Sequence, residues 1–472
     1  MKPSTTSKNK KTILNISAVA FWILVWEALA VFINSELIIA SPIQVVKKLA
    51  SMVGDLSVWR STLFSLSRIA LGFVSALVLG TAAAICSARF KAVKALLAPI
   101  TAVIKSTPVA SFVILAIIWF GSKNLSIFIS FLMVFPVIYL NLLSGIENLD
   151  KNLSEMADVY KISAVKRFIY IHTVQIMPFL ISACSLGLGL CWKSGVAAEV
   201  IGISTGSIGE RLYQAKLYFE TSELLAWTVI IIAVSVSIEK LVIFLLKSVY
   251  TRIEKSYNRE YVQKLLDAEP TSNTRRPITP CAIKTENISK AFGEQTVING
   301  LTLTISPKDK LSIRGHSGAG KTTLLRIIMG LEAPDRGTVT GNNGNAFGVV
   351  FQEDRLIESL NPIANICVAG CQSVAEAVSL LNSFGLTEEI IYKPCKELSG
   401  GEKRRAAIAR ALLCDCNTIV MDEPFKGIDK DTLYSQVLPA VKNALDGKTL
   451  ILVTHDEAEA AFLCDKEYCF EA

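Results

Sequence analysis

A glycine-rich stretch ending in lysine and threonine is the part of this chain best suited to bind phosphate. Residues 315–322 read G-H-S-G-A-G-K-T, which fits the pattern G-x-x-x-x-G-K-[ST]. A β-prone run precedes it, and we expect a helix to begin near Lys321. The glycines let backbone N–H groups surround phosphate oxygens at the positive end of that helix. Lys321 would add charge at the terminal phosphates and Thr322 a hydroxyl for Mg²⁺.

Two adjacent carboxylates follow an apolar run further along the chain. Residues 418–421 are typical of a buried strand, and Asp422 and Glu423 stand at its end. A carboxylate at that place can hold hydrated Mg²⁺, and its neighbour can orient or deprotonate a water molecule. An isolated Asp-Glu pair is more often a solvated turn. The apolar run and the glycine-rich loop favour the catalytic interpretation here.

A third motif, L-S-G-G-E at 398–402, opens a basic segment that we predict to be helical. Its two glycines and Ser399 would again turn backbone amides toward phosphate. Together the three motifs resemble the ATPase domain of ABC transporters, and the resemblance covers residues 282–472. It implies an α/β P-loop domain that binds and hydrolyses ATP with Mg²⁺.

This resemblance also assigns roles to residues that carry little signal alone. Phe292 matches the aromatic residue that stacks on adenine, and Gln352, Asp429 and His455 match the Q-loop, D-loop and switch positions. The residues expected to act in catalysis are Glu423, His455 and Lys321. The residues expected to hold the metal are Thr322, Gln352 and Asp422. The residues expected at the nucleotide are Phe292, Gly315, His316, Ser317, Gly318, Ala319, Gly320, Lys321, Thr322, Thr323, Gln352, Ser399, Gly400, Gly401 and Asp429.

The first half of the chain has a different composition. Overall 51% of the residues are hydrophobic and 19% are charged, against about 25% charged in an average soluble domain. Six apolar stretches are long enough to cross a bilayer, which takes about 20 residues. They lie near 13–33, 61–87, 96–120, 124–146, 176–202 and 223–247. We therefore predict an all-α, six-helix transmembrane domain.

The charges along this half predict its orientation. The formal net charge is +7, and the basic excess falls in residues 1–280. Lysine and arginine are concentrated before the first span, in alternate connections and after the sixth span, which places both termini in the cytoplasm. This distribution favours anchoring at a membrane over binding nucleic acid. The first stretch could also be a cleaved signal peptide, although Glu27 beside the cleavage position favours an uncleaved anchor.

The polar connection 148–175 is the most informative part of the membrane half. It carries helical patterning from Leu153 to Ile171. It resembles the EAA loop of ABC importer permeases, which implies a coupling helix docked on the ATPase. Glu155 and Ala157 match that pattern, whereas Lys161 stands where glycine is usual. The alternative is an ordinary amphipathic cytoplasmic loop.

Residues 251–281 are charged and then rich in proline, serine and threonine, which is typical of a linker. The predicted organisation is a permease domain at 1–250, this linker, and an ABC ATPase domain at 282–472. The eleven cysteines include no C-x-x-C pair, so we expect reduced thiols rather than a zinc site. Lys193 and Glu199 lie inside a predicted span, where charges are costly. Their spacing points them apart on a helix.

Residues 106–110 and 119–121 resemble permeases of the nitrate, sulfonate and taurine branch. This implies ATP-driven import of a small anion or a small vitamin-precursor-like molecule. The expected partners are a second copy of the chain, an extracytoplasmic solute-binding protein and the lipid bilayer of the cytoplasmic membrane. Two alternatives remain open, namely an ABC half-exporter and a membrane ABC ATPase that signals to an envelope partner without moving a solute.

Overall fold

The computed structural model describes residues 5–255, 259–268, 282–316, 318–342, 346–371 and 373–470. The chain divides into two compact units. The helical unit comprises residues 1–148 and 176–248, and the α/β unit comprises residues 149–175 and 249–472. The chain thus enters the α/β unit twice.

The first half of the described chain is helical. Its helices are α1 (Thr5–Ile33), α2 (Pro42–Val53), α3 (Leu56–Arg89), α4 (Lys91–Ser106), α5 (Val109–Glu147), α6 (Lys151–Val159), α7 (Ala164–Lys166), a π-helical turn (Arg167–His172), α8 (Thr173–Gly202), α9 (Ile208–Leu217), α10 (Thr221–Glu254) and α11 (Arg259–Ala268).

The second half alternates strands and helices. Its strands are β1 (Ile283–Phe292), β2 (Gln295–Ile305), β3 (Lys310–Arg314), β4 (Arg336–Thr340), β5 (Phe347–Val350), β6 (Thr418–Asp422), β7 (Thr449–Val453) and β8 (Lys466–Cys469). Its helices are α12 (Lys321–Ile328), α13 (Pro362–Val368), α14 (Val374–Ser383), α15 (Glu388–Ile391), a 3₁₀ turn (Cys395–Glu397), α16 (Gly400–Leu413), α17 (Lys430–Thr432), a π-helical turn (Leu433–Val437), α18 (Leu438–Ala444) and α19 (Glu457–Leu463).

Several helices of the first half are membrane-spanning by length and composition. Within the described residues, four meet both criteria, at Leu56–Arg89, Val109–Glu147, Ala164–Gly202 and Thr221–Glu254, and a shorter apolar helix covers Ser17–Ile33. The packing of α3 against α5 depends on small residues. A Cβ on Gly72 would lie 2.6 Å from the carbonyl oxygen of Ile127, so only glycine permits this approach.

The third and fourth predicted spans differ from the structure in their boundaries. One break falls at Thr107 and Pro108, between α4 and α5, and a second interruption falls at Gly121, where these two spans were predicted to separate. Proline has no N–H and biases the preceding residue toward extended backbone, and Thr107 is extended with ψ of 132°. Gly121 has φ of 66° and ψ of 172°, outside the helical region, so α5 is kinked there into two helical stretches. The predicted 96–120 stretch is therefore divided between two helices.

The charged residues within the spans take different environments. Glu199 is fully buried in the helical unit and accepts a hydrogen bond of 2.6 Å from Ser65 Oγ. Lys193 is exposed. Their separate positions agree with the spacing on a helix, which points them apart.

The α/β unit contains two sheets. The five-stranded parallel sheet has the order β5-β6-β7-β3-β8, and the antiparallel sheet has the order β2-β1-β4. Every residue of β6 and β7 is buried, which is typical of a parallel sheet covered on both faces. In such sheets ligands bind beyond the carboxyl ends of the strands. Here the glycine-rich loop follows β3, Gln352 follows β5 and Glu423 follows β6.

The predicted linker is partly structured. Residues 256–258 and 269–281 lie outside the described part, but 259–268 form α11, where we expected only a tether. Val262 on this helix is fully buried among residues of the α/β unit, including Phe384 and Leu381. Arg259 Nη2 also lies 2.7 Å from Glu388 Oε2. This ten-residue segment has too few apolar positions for the sequence to indicate a packed helix.

The connection 148–175 is not one continuous helix. The predicted patterning from Leu153 to Ile171 is broken after α6, because residues 160–163 form a turn before α7. Lys161 has φ of 48° in this turn, the left-handed region that favours glycine. Lys161 therefore fills the place where the importer pattern has glycine, with the backbone shape that glycine would give.

Candidate functional site

The glycine-rich loop between β3 and α12 has the shape of a phosphate cradle. Gly318 and Gly320 have φ of 84° and 97°. A Cβ on Gly320 would lie 2.6 Å from Val297 Cγ1 and 2.9 Å from its carbonyl oxygen, so a larger residue would move the loop. Ala319 is buried and His316 is exposed. Ser317 lies outside the described residues. Gly320 is the N-cap of α12, so the helix N-terminus faces the loop.

The ammonium group of Lys321 is held by the loop itself. Its Nζ donates to the carbonyl oxygens of Gly315 and His316 at 2.7 and 2.8 Å. The residue is 7% exposed. A buried positive charge whose partners are neutral carbonyls is well placed to bind an anion in the loop. These residues therefore fit the phosphates of a nucleotide.

Oxygen ligands for a divalent cation meet beside this loop. Thr322 Oγ1 donates to Asp422 Oδ2 at 2.7 Å. Gln352 lines the same cavity of about 140 Å³ as Thr322 and Asp422. Burial raises the pKa of the Asp422 carboxyl, because the charged form loses hydration there. Hydroxyl, amide and carboxylate oxygens are ligands that Mg²⁺ accepts, so the predicted metal residues fit the ion.

The two residues predicted for water activation are in contact. His455 Nε2 lies 3.3 Å from Glu423 Oε1. Glu423 has φ of 46°, and its N–H donates to the carbonyl oxygen of Val453 at 2.8 Å. Left-handed backbone in a residue other than glycine costs about 1–3 kcal/mol and is concentrated at functional sites. The fold thus holds this carboxylate in a strained position directly after Asp422.

The L-S-G-G-E motif lies at an exposed helix start. Ser399 is the N-cap of α16, and it exchanges two hydrogen bonds with Glu402 in a capping box. Gly400 is exposed, with open space beside it. Neither Ser399 nor Gly400 lines the cavity of Thr322 and Asp422. The structure therefore presents the two phosphate-binding motifs at different places on the same unit.

Two further predicted residues are also exposed. Phe292 ends β1 with 52% of its surface exposed, and Lys290 Nζ lies 5.4 Å from its ring centroid. Asp429 caps the short helix α17 by accepting from the N–H of Thr432 at 2.9 Å. Thr323 lies next to Thr322 on α12 and is half-buried. An exposed aromatic ring at a strand end is free to stack on a base.

The α6 segment is attached to the α/β unit through Glu155. Its carboxylate accepts from Arg326 Nη1 and Nη2 at 2.9 and 2.8 Å and from Arg355 Nη1 at 2.8 Å. The Arg326 guanidinium, followed by Arg355, holds the pKa of Glu155 down at about 2. Ala157 is 1% exposed and belongs to the core of the unit. Arg326 and Arg355 both line the cavity that contains Asp422.

The sequence did not predict a role for Arg404, which binds the backbone on both sides of the metal cavity. Arg404 on α16 is 3% exposed and donates to the carbonyl oxygens of Phe351 at 2.6 Å and Pro424 at 2.7 Å. It also donates to the carbonyl oxygen of Asp422 at 3.1 Å. One side chain thus fixes the backbone on both sides of the metal cavity. The sequence contains one indication that Arg404 is buried. It lies on the same helix face as Ala407 and Ala411, which are both buried.

Two family models match the chain. The model described as "ABC transporter" matches residues 298–426. The model described as "Binding-protein-dependent transport system inner membrane component" matches residues 76–258. The first covers the glycine-rich loop, the L-S-G-G-E motif and the strand that ends at Asp422. The second covers most of the helical unit and the α6 segment.

Similar proteins were found for the second half of the chain. It is 39% identical over 185 residues to the aliphatic sulfonates import ATP-binding protein SsuB 1 of Rhodococcus jostii, covering 38% of this chain and 75% of the relative. It is 36% identical over 203 residues to the lipoprotein-releasing system ATP-binding protein LolD of Bacteroides fragilis, covering 38% of this chain and 93% of the relative.

A solved dimeric ATP-binding cassette in a post-hydrolysis state with ADP and Pi is 29% identical, covering 40% of this chain and 94% of that chain, with a TM-score of 0.37. The family matches and the Rhodococcus relative agree on the same assignment. The chain belongs to the ABC transporter family, as an ATP-hydrolysing cassette joined on one polypeptide to a multi-pass membrane permease region.

Proposed function

We propose that this chain is a fused permease-ATPase half-transporter that imports a small solute across the cytoplasmic membrane as a homodimer. The observation that carries the proposal is the attachment of Glu155 to Arg326 and Arg355. It ties a segment from within the permease sequence to the wall of the predicted metal cavity. A change at the nucleotide then reaches the permease through an ion-paired helix. Importer loops of the pattern found at 148–175 serve this purpose in the family that the sequence resembles.

We infer the following roles at the nucleotide. Phe292 stacks on the base, the loop 315–323 surrounds the phosphates, and Lys321 neutralises their charge. Thr322, Asp422 and Gln352 hold Mg²⁺, which when bound offsets negative charge on the phosphate oxygens. The strained carboxylate of Glu423 accepts a proton from the attacking water, and His455 orients that carboxylate. The contact of 3.3 Å between these two side chains supports that pairing.

The positions of the motifs support the proposed homodimer. The exposed residues Ser399 and Gly400 and the half-buried Gly401 stand away from the cavity of Thr322 and Asp422, and one chain carries one copy of each motif. A second copy would supply these amides and Asp429 across an interface, giving two composite ATP sites. Both termini and the ATPase domain would lie in the cytoplasm, in keeping with the distribution of basic residues.

The substrate class rests on the permease sequence. We propose a small anion such as nitrate, a sulfonate or taurine, or a small vitamin-precursor-like molecule, delivered by an extracytoplasmic solute-binding protein. Sulfonate import, which the name of the Rhodococcus relative gives as its function, supports this class. The Bacteroides relative carries lipoprotein release in its name and is similar over the same part of the chain. It favours, as the second candidate, a system that acts on an envelope partner without importing a solute.

Reconstitution tests the proposal directly. The chain would be crosslinked in its native membrane, its partners identified by mass spectrometry, and transport measured in liposomes with the recovered binding protein and radiolabelled candidate anions. Glu423→Gln is the inactive control. Recovery of a solute-binding protein with ATP-dependent uptake supports import. Recovery of an envelope protein that stimulates ATPase activity, with no uptake of any ligand, overturns import and supports the second candidate.

A further inference from the structure

A half-buried tyrosine of the 149–175 segment binds the edge strand of the main sheet. Tyr160 follows α6 directly, and its hydroxyl donates to the carbonyl oxygen of Val349 at 2.9 Å. The same hydroxyl accepts from the N–H of Val349 at 3.1 Å. Because β5 is at the edge of the sheet, these two backbone groups have no strand beside them. One phenol therefore satisfies the donor and the acceptor that a neighbouring strand would otherwise satisfy.

The ring of Tyr160 makes a second connection. It lies beside Arg410, whose Cζ is 5.2 Å from the ring centroid. Arg410 is 1% exposed and donates to the carbonyl oxygens of Arg355 at 2.6 Å and Asp354 at 3.0 Å. Burial raises the pKa of Tyr160 to about 12, so the phenol remains protonated at physiological pH and can donate and accept together.

These contacts hold the backbone on both sides of Gln352. Val349 lies three positions before Gln352, and the carbonyls held through Arg410 lie two and three positions after it. The side chain of Gln352 itself is exposed and lines the cavity of Thr322 and Asp422. Its place is therefore determined by the backbone on its two sides, and Tyr160 contributes to both.

We propose that Tyr160 is a positioning residue that sets Gln352 for binding Mg²⁺ and thereby makes the metal site respond to the 149–175 segment. The inference rests on the metal role proposed above for Gln352. It goes beyond the ion pair of Glu155. Tyr160 binds the strand that precedes Gln352, and it also contacts Arg410, which holds the carbonyl groups that follow Gln352. Losing this contact leaves two buried backbone groups of β5 without partners, which is costly.

The test compares Tyr160→Phe with Tyr468→Phe in the full chain in lipid nanodiscs. Tyr468 lies on β8 at the opposite edge of the same sheet, and among the described contacts its hydroxyl has no hydrogen bond. Steady-state ATPase rates are measured against free Mg²⁺ at saturating ATP, together with amide exchange at Val349. We expect Y160F to raise the half-activating Mg²⁺ concentration about three- to tenfold. The kcat at saturating Mg²⁺ should stay within about twofold, exchange at Val349 should be faster, and Y468F should match wild type.

Gln352→Ala completes the design. If Tyr160 acts through Gln352, Y160F adds no further Mg²⁺ requirement in the Q352A background. A wild-type Mg²⁺ dependence in Y160F, with faster exchange at Val349, would make the contact merely structural and overturn the inference alone. A wild-type Mg²⁺ dependence in Q352A would overturn the metal role of Gln352 and the inference with it. Should Y160F fail to assemble, Tyr160→His keeps a ring and one hydrogen bond and allows the same comparison.

Discussion

Replacing Glu155 by glutamine tests the attachment between the permease segment and the ATPase. Glutamine keeps the size of the side chain but removes the negative charge that two guanidinium groups share. The pKa of Glu155 is lowered from 4.5 to about 2, and a difference of one in pKa corresponds to about 1.4 kcal/mol. The upper limit for the interaction is therefore about 3 kcal/mol. Because the side chain is 30% exposed, solvent screening reduces the expected loss to about 1–2 kcal/mol.

The assay is hydrogen exchange on the full chain in nanodiscs. A loss of about 1–2 kcal/mol in the local opening of α6 makes its amides exchange about five- to thirtyfold faster. The number of solute molecules moved per ATP should fall in reconstituted liposomes, because the weakened attachment would couple the α6 segment less tightly to the ATPase. The matched control is Glu389→Gln, because Glu389 is 88% exposed and lies 4.0 Å from Lys393. Exposed pairs of this kind contribute little.

The pH dependence provides an independent check on the same contact. The pKa of Glu155 is lower in the folded chain, so its contribution is fully present above about pH 4.5 and is lost as the pH falls through about 2. In the E155Q variant this acid-dependent component of α6 exchange should be absent. Identical exchange in E155Q and wild type, together with unchanged transport per ATP, would refute the reasoning that Glu155 holds the segment in place.

Three further predictions concern single residues. Glu423→Gln should lower ATP turnover by about a hundredfold or more, since a general base contributes about 10²–10⁴-fold to the rate. The variant should still bind ATP, and turnover at the wild-type rate would contradict the base assignment. Lys161→Gly should raise the melting temperature by relieving about 1 kcal/mol of left-handed strain, and a lower melting temperature would show that the lysine side chain matters more. Gly320→Ala should abolish binding of a fluorescent ATP analogue, because its Cβ would lie 2.6 Å from Val297 Cγ1; binding of wild-type affinity would show that the loop adjusts freely.

The parts of the fold that depend on local sequence were predictable. The strand before the glycine-rich loop, the helix beginning at Lys321 and the strand ending at Asp422 all lie where the motifs indicate. Each depends on neighbouring residues, namely glycine conformation, helix capping and a continuous apolar run. The position of Lys161 was also marked by the sequence, since a pattern that favours glycine identifies the backbone shape that the turn adopts.

The parts that depend on distant residues were not predictable. Arg404 and Tyr160 look like ordinary members of a basic helix and an amphipathic loop, and their partners lie far along the chain. Tyr160 contacts Val349 across 189 positions, and no local pattern specifies that pairing. The division of the 96–120 stretch at Pro108 illustrates the opposite error, because a continuous apolar stretch was assigned to one helix although proline marked a local break.

The double entry of the chain into the α/β unit has a consequence for biogenesis. The apolar side of α6, with Met156 and Val159, is buried in a core formed mainly by residues after 282. At about 5–20 residues per second, a ribosome needs on the order of 15–60 s to synthesise the roughly 300 residues that separate α6 from β8. During that interval α6 has no core to enter, so nascent chains that stall before β7 expose the apolar side of α6. The apolar side of α6 is then buried only when the cassette is complete. A chaperone or a membrane protease that recognises exposed apolar helices would therefore distinguish finished transporters from unfinished ones.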